Sequence, residues 1–378
     1  MALASCSRGN NRRDPDLQVS TPYNRLPRES FWRHGLAVEP SAVPAGLYRK
    51  AWDISRSDKI ATAGSCFAQH IGRSLKAKGF NLLDVEPAPS GLPEAERARY
   101  GYGIYSARYG NIYTTRQLLQ LLQQAFDIWT PGDVIWEKDG GYVDALRPAI
   151  EPEPFGSRDE VLALRRFHLK NVRRMFEEMD VFIFTLGLTE CWVDAETGAV
   201  FPIVPGAAGG RFDADKHVFC NLGFEQTYRD LAAFLDLLRE VRGGRGARVL
   251  LTVSPVPLAA TALSRHVQVS TVYSKSVLRA VAGEVADERA DVDYFPSYEI
   301  ITSPWKGADF FNASDRRTVT EDGVAAAMAA FFSEHLGEAE EGMPPSARPD
   351  FAPASPSYDS PRDTVCEEEL LAAFGPAS

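Results

Sequence analysis

Three short apolar runs, each closed by a turn of small residues, set the architecture open to this chain. Lys59–Ala63, Asp180–Leu186 and Ala247–Val253 read as buried strands that end at Gly64, at Gly187 and at Ser254-Pro255-Val256-Pro257. Phe67 to Lys78 carries Phe67, Ile71 and Leu75 at helical spacing and stops at Gly79, as a helix with a glycine C-cap does. Thr114–Gln117 and Ser157–Glu160 have capping-box spacing, the first ahead of Leu118, Leu121, Leu122 and Phe126, the second ahead of Val161, Leu164, Val172 and Met175. Further helices are predicted through Leu231–Val241, from about Ser274 to Asp287, and from about Glu321 to His335, with a last strand at Val292–Pro296. This alternation predicts an α/β fold around a mainly parallel sheet. In open parallel sheets the ligand crevice lies at the strand C-termini, so the turns at Gly64, Gly187 and Ser254 and the segment after Tyr298 are expected on one rim.

With 378 residues and 44% hydrophobic content the chain buries a large core, and composition divides it into an N-terminal arm (1–55), an α/β domain (56–336) and an acidic Pro/Ser-rich tail (337–378). The tail reads as disordered except for a docking turn around Glu368 to Phe374. A net charge of −10, without basic residues interleaved with aromatics, argues against a nucleic-acid partner. The most apolar runs, such as Val181 to Leu188, fall well below the roughly 18 residues that span a bilayer, so no membrane association is expected. Five scattered cysteines lack CxxC or Cys/His metal spacing. They suit reduced thiols in a cytoplasmic protein, with no metal and no cofactor implied.

The segment Ala61-Thr62-Ala63-Gly64-Ser65-Cys66-Phe67-Ala68-Gln69-His70 places two potential nucleophiles, Ser65 and Cys66, between a strand C-terminus and a helix N-terminus. Unpaired backbone N–H groups there stabilise negative charge on a thiolate, an alkoxide or an oxyanion. The same residues also suit a tight crossover that needs Gly64 for its backbone and buries Cys66 as a small apolar group.

Gly64-Ser65-Cys66-Phe67-Ala68 resembles the signature of the GSCFA family, bacterial proteins similar to the SGNH (GDSL-type) hydrolases. The likeness extends through Tyr109–Thr114, Thr185–Glu190, Leu251–Pro257, Tyr273–Ser276 and Tyr294–Glu299 and covers roughly residues 20–335. It implies a three-layer α/β/α, SGNH-hydrolase-like domain with a mainly parallel sheet, in which a nucleophile after the first strand attacks an ester carbonyl. The oxyanion would be held by the nucleophile's N–H, a glycine N–H and an Asn side chain. By position Gly110, beside Asn111, is the candidate glycine donor, and Gly187-Leu188-Thr189-Glu190 lies where the superfamily has Gly-x-Asn-Asp, so Thr189 replaces the asparagine. An ungapped match favours Cys66 as nucleophile, and a one-residue shift would favour Ser65. Asp315-Arg316-Arg317-Thr318 stands where the superfamily has Asp-x-x-His, and Thr318 is no general base.

A substitute base is therefore sought among six histidines. His266, on a loop expected at the rim, ranks first, and His217, in the long segment after Gly187, second. His70 shares a helix face with Cys66, Lys275 is an alternative amine base, and Glu190 and Asp315 are candidate orienting or substrate-binding carboxylates. Arg316 and Arg317 suit either an anionic substrate or an ion-paired edge. The resulting expectation is an acyl-ester hydrolase or O-acyltransferase acting on a small-molecule or carbohydrate ester. The alternative is a degenerate module that binds a glycan or acyl ligand without turnover.

Overall fold

Period-two alternation of side chains decides how the central sheet is buried. The computed structural model describes residues 21–36, 43–44, 46–303, 310–336 and 367–374. Strands β1 (Ile60–Gly64), β2 (Val181–Leu186), β3 (Arg248–Val253) and β4 (Val292–Tyr294) lie side by side in chain order, and all pairings are parallel. The longer helices are α1 (Ala68–Ala77), α2 (Thr115–Ala125), α3 (Arg158–Glu178), α4 (Phe224–Val241) and α5 (Val267–Glu288), followed by the short α6 (Ser297–Thr302) and by α7 (Glu321–Leu336). Ala61, Ala63, Phe182, Phe184, Val249 and Leu251 join a cluster with residues of α2, α3, α4 and α5. Their sequence neighbours Ile60, Val181, Ile183 and Leu250 point the other way, into a cluster with α1, α6 and α7. Helices thus cover both faces, as a parallel sheet with two apolar faces requires, and the α/β expectation holds.

An isolated parallel bridge joins Ile60 to Leu82 on the side of β1 away from β2. The chain therefore leaves β1 first to one side and then crosses to the other, which makes β1 the point where the topology switches. The crevice of such a sheet opens at the carboxyl end of that strand, where Ser65 and Cys66 follow.

Two small antiparallel sheets flank the main one. Ile135–Lys138 pairs with Gly141–Asp144 through a turn at Asp139 and Gly140, both in the left-handed region (φ 47° and 80°), as a two-residue hairpin demands. Glu190–Asp194 lies between Val200–Phe201 and His217–Asn221. Trp136, Val143, Phe201 and Ile203 build a separate apolar cluster there, against which Leu370 and Leu371 pack. Those two leucines belong to a 3-10 segment, Glu367–Phe374, so the expected docking turn of the tail is present. The expected disorder of residues 337–366 and the first part of the arm lie outside the described residues. Within the arm, Tyr48 is buried against Phe295 and Phe331.

One helix starts earlier than its spacing predicts. α5 begins at Val267 rather than near Ser274, because the His266 ring caps it: Gln268 N–H donates to His266 Nδ1 over 3.1 Å. The β-branched run Val267, Val269, Thr271 and Val272 conceals this first part in the sequence.

A buried charge network ties the hairpin to the main layers. Asp144 accepts from Arg147 Nε and Arg165 Nη1, each at 2.8 Å, and despite burial Arg165 and Arg147 hold its carboxyl down to about 2. Arg147 Nη1 donates to the Arg108 carbonyl (3.0 Å), and Arg108 N–H donates to Glu86 (2.6 Å), which also bonds His168 (2.7 Å). Arg108 pairs with Glu151. Three guanidinium groups already match three carboxylates, and burial together with Arg147 pushes the His168 imidazole down to about 4.

His335 is also held neutral. Ile54 N–H donates to its Nδ1 (3.3 Å) and Tyr48 Oη lies 3.1 Å from its Nε2, while burial, then Lys50, brings it from 6.5 to about 4. Both imidazoles have folded pKa values below the unfolded one. Their contribution to stability is complete above pH ~6.5 and is lost as pH falls toward about 4. Denaturant unfolding at pH 7.0 and pH 4.5 is expected to show this loss, and His335→Asn, which keeps an acceptor for Ile54 N–H, is expected to reduce it by about 1 kcal/mol, less than full linkage because water reaches part of the ring.

Candidate active site

Gly64 turns the chain at the end of β1 with φ +138°, and a Cβ there would lie 2.4 Å from the Thr185 carbonyl oxygen. Only glycine permits this approach. Ser65 N–H then donates to that same carbonyl (3.1 Å), and Ile112 N–H donates to the Gly64 carbonyl (2.8 Å). The second bond draws the loop carrying Gly110, Asn111 and Tyr113 onto the strand end. The carbonyls of Ser65 and Cys66 accept from Ala68 and Gln69 N–H, which sets both residues at the entry to α1.

The two nucleophile candidates receive different surroundings. Ser65 is 2% exposed, its Oγ has no hydrogen-bond partner among the described residues, and its Cβ faces Gly187, where a methyl group would come within 3.0 Å. Cys66 is half-buried and packs against a cluster of Tyr113, Leu188 and Leu258. Gly187 and Leu188 both donate N–H to the Tyr113 carbonyl at 3.0 Å, so the turn after β2 and the Asn111 loop form one wall. Behind it Lys275, buried on α5, donates from Nζ to the Gly187 carbonyl (2.8 Å).

Asn111 and Tyr113 converge on a carboxylate from the tail. Tyr105 Oη donates to Asn111 Oδ1 (2.6 Å) and lies 3.2 Å from the Ser65 carbonyl, which turns Asn111 Nδ2 outward to donate to Glu367 Oε2 at 2.5 Å. Tyr113 Oη donates to the same oxygen at 2.7 Å. The backbone N–H groups of Asn111 and Glu367 also favour the charge, yet burial outweighs them and raises the Glu367 carboxyl above its ordinary range. Gly110, at φ +69°, leaves room for the other oxygen, Oε1, which stands 3.5 Å from where a Cβ would be.

Glu368 occupies the opposite wall. It accepts from Arg317 Nη2 (3.0 Å) and from Ala259 N–H (3.4 Å), and burial raises its carboxyl against the opposing charges of Arg317 and Lys275. Arg317 Nε donates to the Pro257 carbonyl (3.1 Å). The turn before it is closed by Asp315, which accepts from Arg317 N–H (2.9 Å), Thr318 N–H (3.0 Å) and the Thr318 hydroxyl. Burial opposes ionisation of Asp315, and these donors outweigh it and lower its pKa.

The fold thus gathers Gly64, Ser65, Cys66, Gly110, Asn111 and Gly187 at the carboxyl ends of β1 and β2, where the crevice of a parallel sheet is expected. Other candidates are used elsewhere. The Thr189 hydroxyl donates to Asn221 (2.7 Å) and its N–H to Ser274 Oγ (3.1 Å). Glu190 accepts from the Thr261 hydroxyl (2.7 Å) and Ala262 N–H (3.3 Å), which fastens the loop after β3. His266 is exposed and caps α5. His217 stands in the outlying antiparallel sheet, where its Nδ1 accepts from Asp213 N–H (3.0 Å) and its ring meets Phe201 and Phe212. His70 bonds Arg73 and packs on Phe67. The residues that sequence reasoning did not assign are Tyr105, Tyr113, Glu367 and Glu368. Tyr113 was within reach as part of the Tyr109–Thr114 motif, and the two glutamates open a tail segment whose Leu370 and Leu371 pack on the outlying apolar cluster.

Among the described residues no group of three or more His, Cys, Asp or Glu side chains is arranged to hold a metal ion, and no helix is long and apolar enough to cross a membrane. A family model described as the GSCFA family matches residues 59–331. No curated protein and no solved structure matches the chain.

The close approach at Gly187 is a direct test of this geometry. Gly187→Ala brings a methyl group to 3.0 Å from Ser65 Cβ and 3.2 Å from Tyr113. Urea unfolding is expected to show a loss of about 1–3 kcal/mol, the usual cost of overpacking.

Proposed function

The chain belongs to the GSCFA family, and we propose that its crevice performs acyl chemistry on a small-molecule or carbohydrate ester, with Cys66 as the nucleophile. The observation that carries this reading is the donor set on the loop whose Tyr113 belongs to the cluster that Cys66 packs against: Asn111 Nδ2 and Tyr113 Oη grip one carboxylate oxygen at 2.5 and 2.7 Å. Donors fixed in advance around an anionic oxygen suit the oxyanion of a tetrahedral intermediate as well as a carboxylate. The SGNH-like resemblance supports the same chemistry by analogy of fold.

In this reading the Cys66 thiol loses its proton to solvent, and the sulfur attacks the ester carbonyl. Charge on sulfur at the amino end of α1 is favoured by the helix dipole. The carbon–sulfur bond forms as the carbonyl oxygen takes up negative charge within reach of Asn111 and Tyr113. Collapse breaks the bond to the alcohol oxygen, which takes a proton from water. Water, or the hydroxyl of an acceptor, then attacks the thioester and releases the thiol. Ser65 suits this role less well, because its own N–H already donates to Thr185 and is withdrawn from an oxyanion. A cytoplasmic site of action accords with the scattered cysteines.

Binding without turnover is the second reading. It is favoured by the commitments of the imidazoles: His266 caps a helix, His217 accepts from Asp213, and His168 and His335 are tied to Glu86 and to Tyr48 and Ile54.

Hydrolysis of p-nitrophenyl acetate separates the two. Cys66→Ala is expected to abolish turnover, Ser65→Ala to retain it, and Asn111→Ala to lower kcat about 100-fold, as removal of one oxyanion donor does. Turnover that survives in Cys66→Ala, or that is absent from both wild-type and Glu367→Ala/Glu368→Ala protein, overturns the proposal.

A further inference from the structure

Two adjacent carboxylates from the tail close the crevice, and each has a built receptor. Glu367 and Glu368 are 1% and 7% exposed. The first sits on Asn111 and Tyr113, and the second on Arg317 and the Ala259 amide. Tyr113 and Leu258, the neighbour of Ala259, are both walls of the cluster that holds Cys66. The pair therefore ties together the two segments, at Tyr113 and at Leu258–Ala259, whose apolar side chains flank Cys66.

We propose that the crevice is a two-carboxylate site, filled in cis by Glu367 and Glu368, and that an acidic ligand must displace this segment to reach Cys66. The proposal deepens the acyl-transfer reading in naming the charge class of the substrate, and it rests on that reading only for what happens after displacement. One receptor is neutral and directional, an amide and a phenol aimed at a single oxygen. The other is cationic, with the Arg317 guanidinium in contact and the Lys275 charge nearby. A free ligand that satisfies both carries two anionic groups spaced like the side chains of neighbouring acidic residues.

The segment is suited to be displaced. Burial disfavours ionisation of both carboxyls, so their release to water recovers hydration that docking removes. The apolar anchor is small: Leu370 and Leu371 are half-buried against the outlying cluster, whereas Glu369 and Phe374 are exposed. A permanent core element would bury more apolar surface and fewer charges.

Access to Cys66 reads the proposal without reference to turnover. In the full-length protein, iodoacetamide alkylation of the Cys66 peptide is followed by mass spectrometry on the alkaline plateau, where rates report access rather than ionisation. The double variant Glu367→Ala/Glu368→Ala is expected to react about tenfold faster than wild type, and the isosteric Glu367→Gln to show a smaller rise. A synthetic peptide with the sequence of residues 367–376, which carries no thiol to consume the reagent, added to the double variant, is expected to restore the slow rate, and its Gln-substituted counterpart is not. Rates within twofold of wild type for both variants, or equal protection by the two peptides, overturn the assignment. If the double variant opens but does not hydrolyse p-nitrophenyl acetate, the acyl reading falls and the tail assignment stands. Unchanged access with Cys66-dependent turnover gives the converse.

Discussion

The contact between Gly64 and the Thr185 carbonyl governs the placement of every group at the crevice. Parallel pairing of β1 with β2 continues through Gly64 opposite Thr185, to a separation at which any side chain would collide with backbone. The chain can then turn only toward the strand ends, and Ser65 and Cys66 arrive level with Gly187. A second close approach, between Gly187 and Tyr113, completes the wall. Two glycines at two strand ends thus let three segments that are far apart in the chain meet within hydrogen-bond reach. The chemistry proposed for the crevice depends on that proximity, since neither the thiol nor the amide donors are useful at a greater distance.

Much of this was legible in the chain because strand burial and helix capping are local signals. The apolar runs at Lys59–Ala63, Asp180–Leu186 and Ala247–Val253 match three of the four sheet strands, and both capping boxes cap helices as expected. The Asp139-Gly140 pair is a hairpin signal of the same local kind, although the flanking strands are too short to stand out. The start of α5 was hidden for a different reason. A histidine rarely serves as an N-cap, and β-branched residues in the first turns argue against a helix until tertiary packing overrides them.

Site residues were legible to the extent that they lie at strand ends. Position on the sheet put Gly64 and Gly187 on one rim, and the family resemblance added Gly110 and Asn111, whose loop the Ile112 and Tyr113 backbone bonds hold against both turns. It did not reveal which donors were already occupied, because hydrogen bonds between distant segments leave no spacing in a sequence. Thr189 is near the crevice by position but its hydroxyl is bonded to Asn221, and Glu190 is turned to the loop at Thr261 and Ala262. The part played by Glu367 and Glu368 was hidden for the same reason. Acidic residues in a Pro/Ser-rich tail look like solvated charge, and only the fold shows that Asn111, Tyr113 and Arg317 face them.

The ionic lattice behind the crevice has a consequence for how the donors behave when an anion arrives. Arg108 immediately precedes the Tyr109–Tyr113 loop, and it is clamped at its carbonyl by Arg147 and at its amide by Glu86, with Arg147 held in turn by Asp144, which also accepts from Arg165. A loop pinned at both polar atoms of its first residue has little freedom to surrender on association. The attraction between Asn111 and a bound oxygen is then not diluted by an entropic penalty for arranging the receptor. Recognition at this rim resembles a key entering a cut lock more than a hand closing on an object.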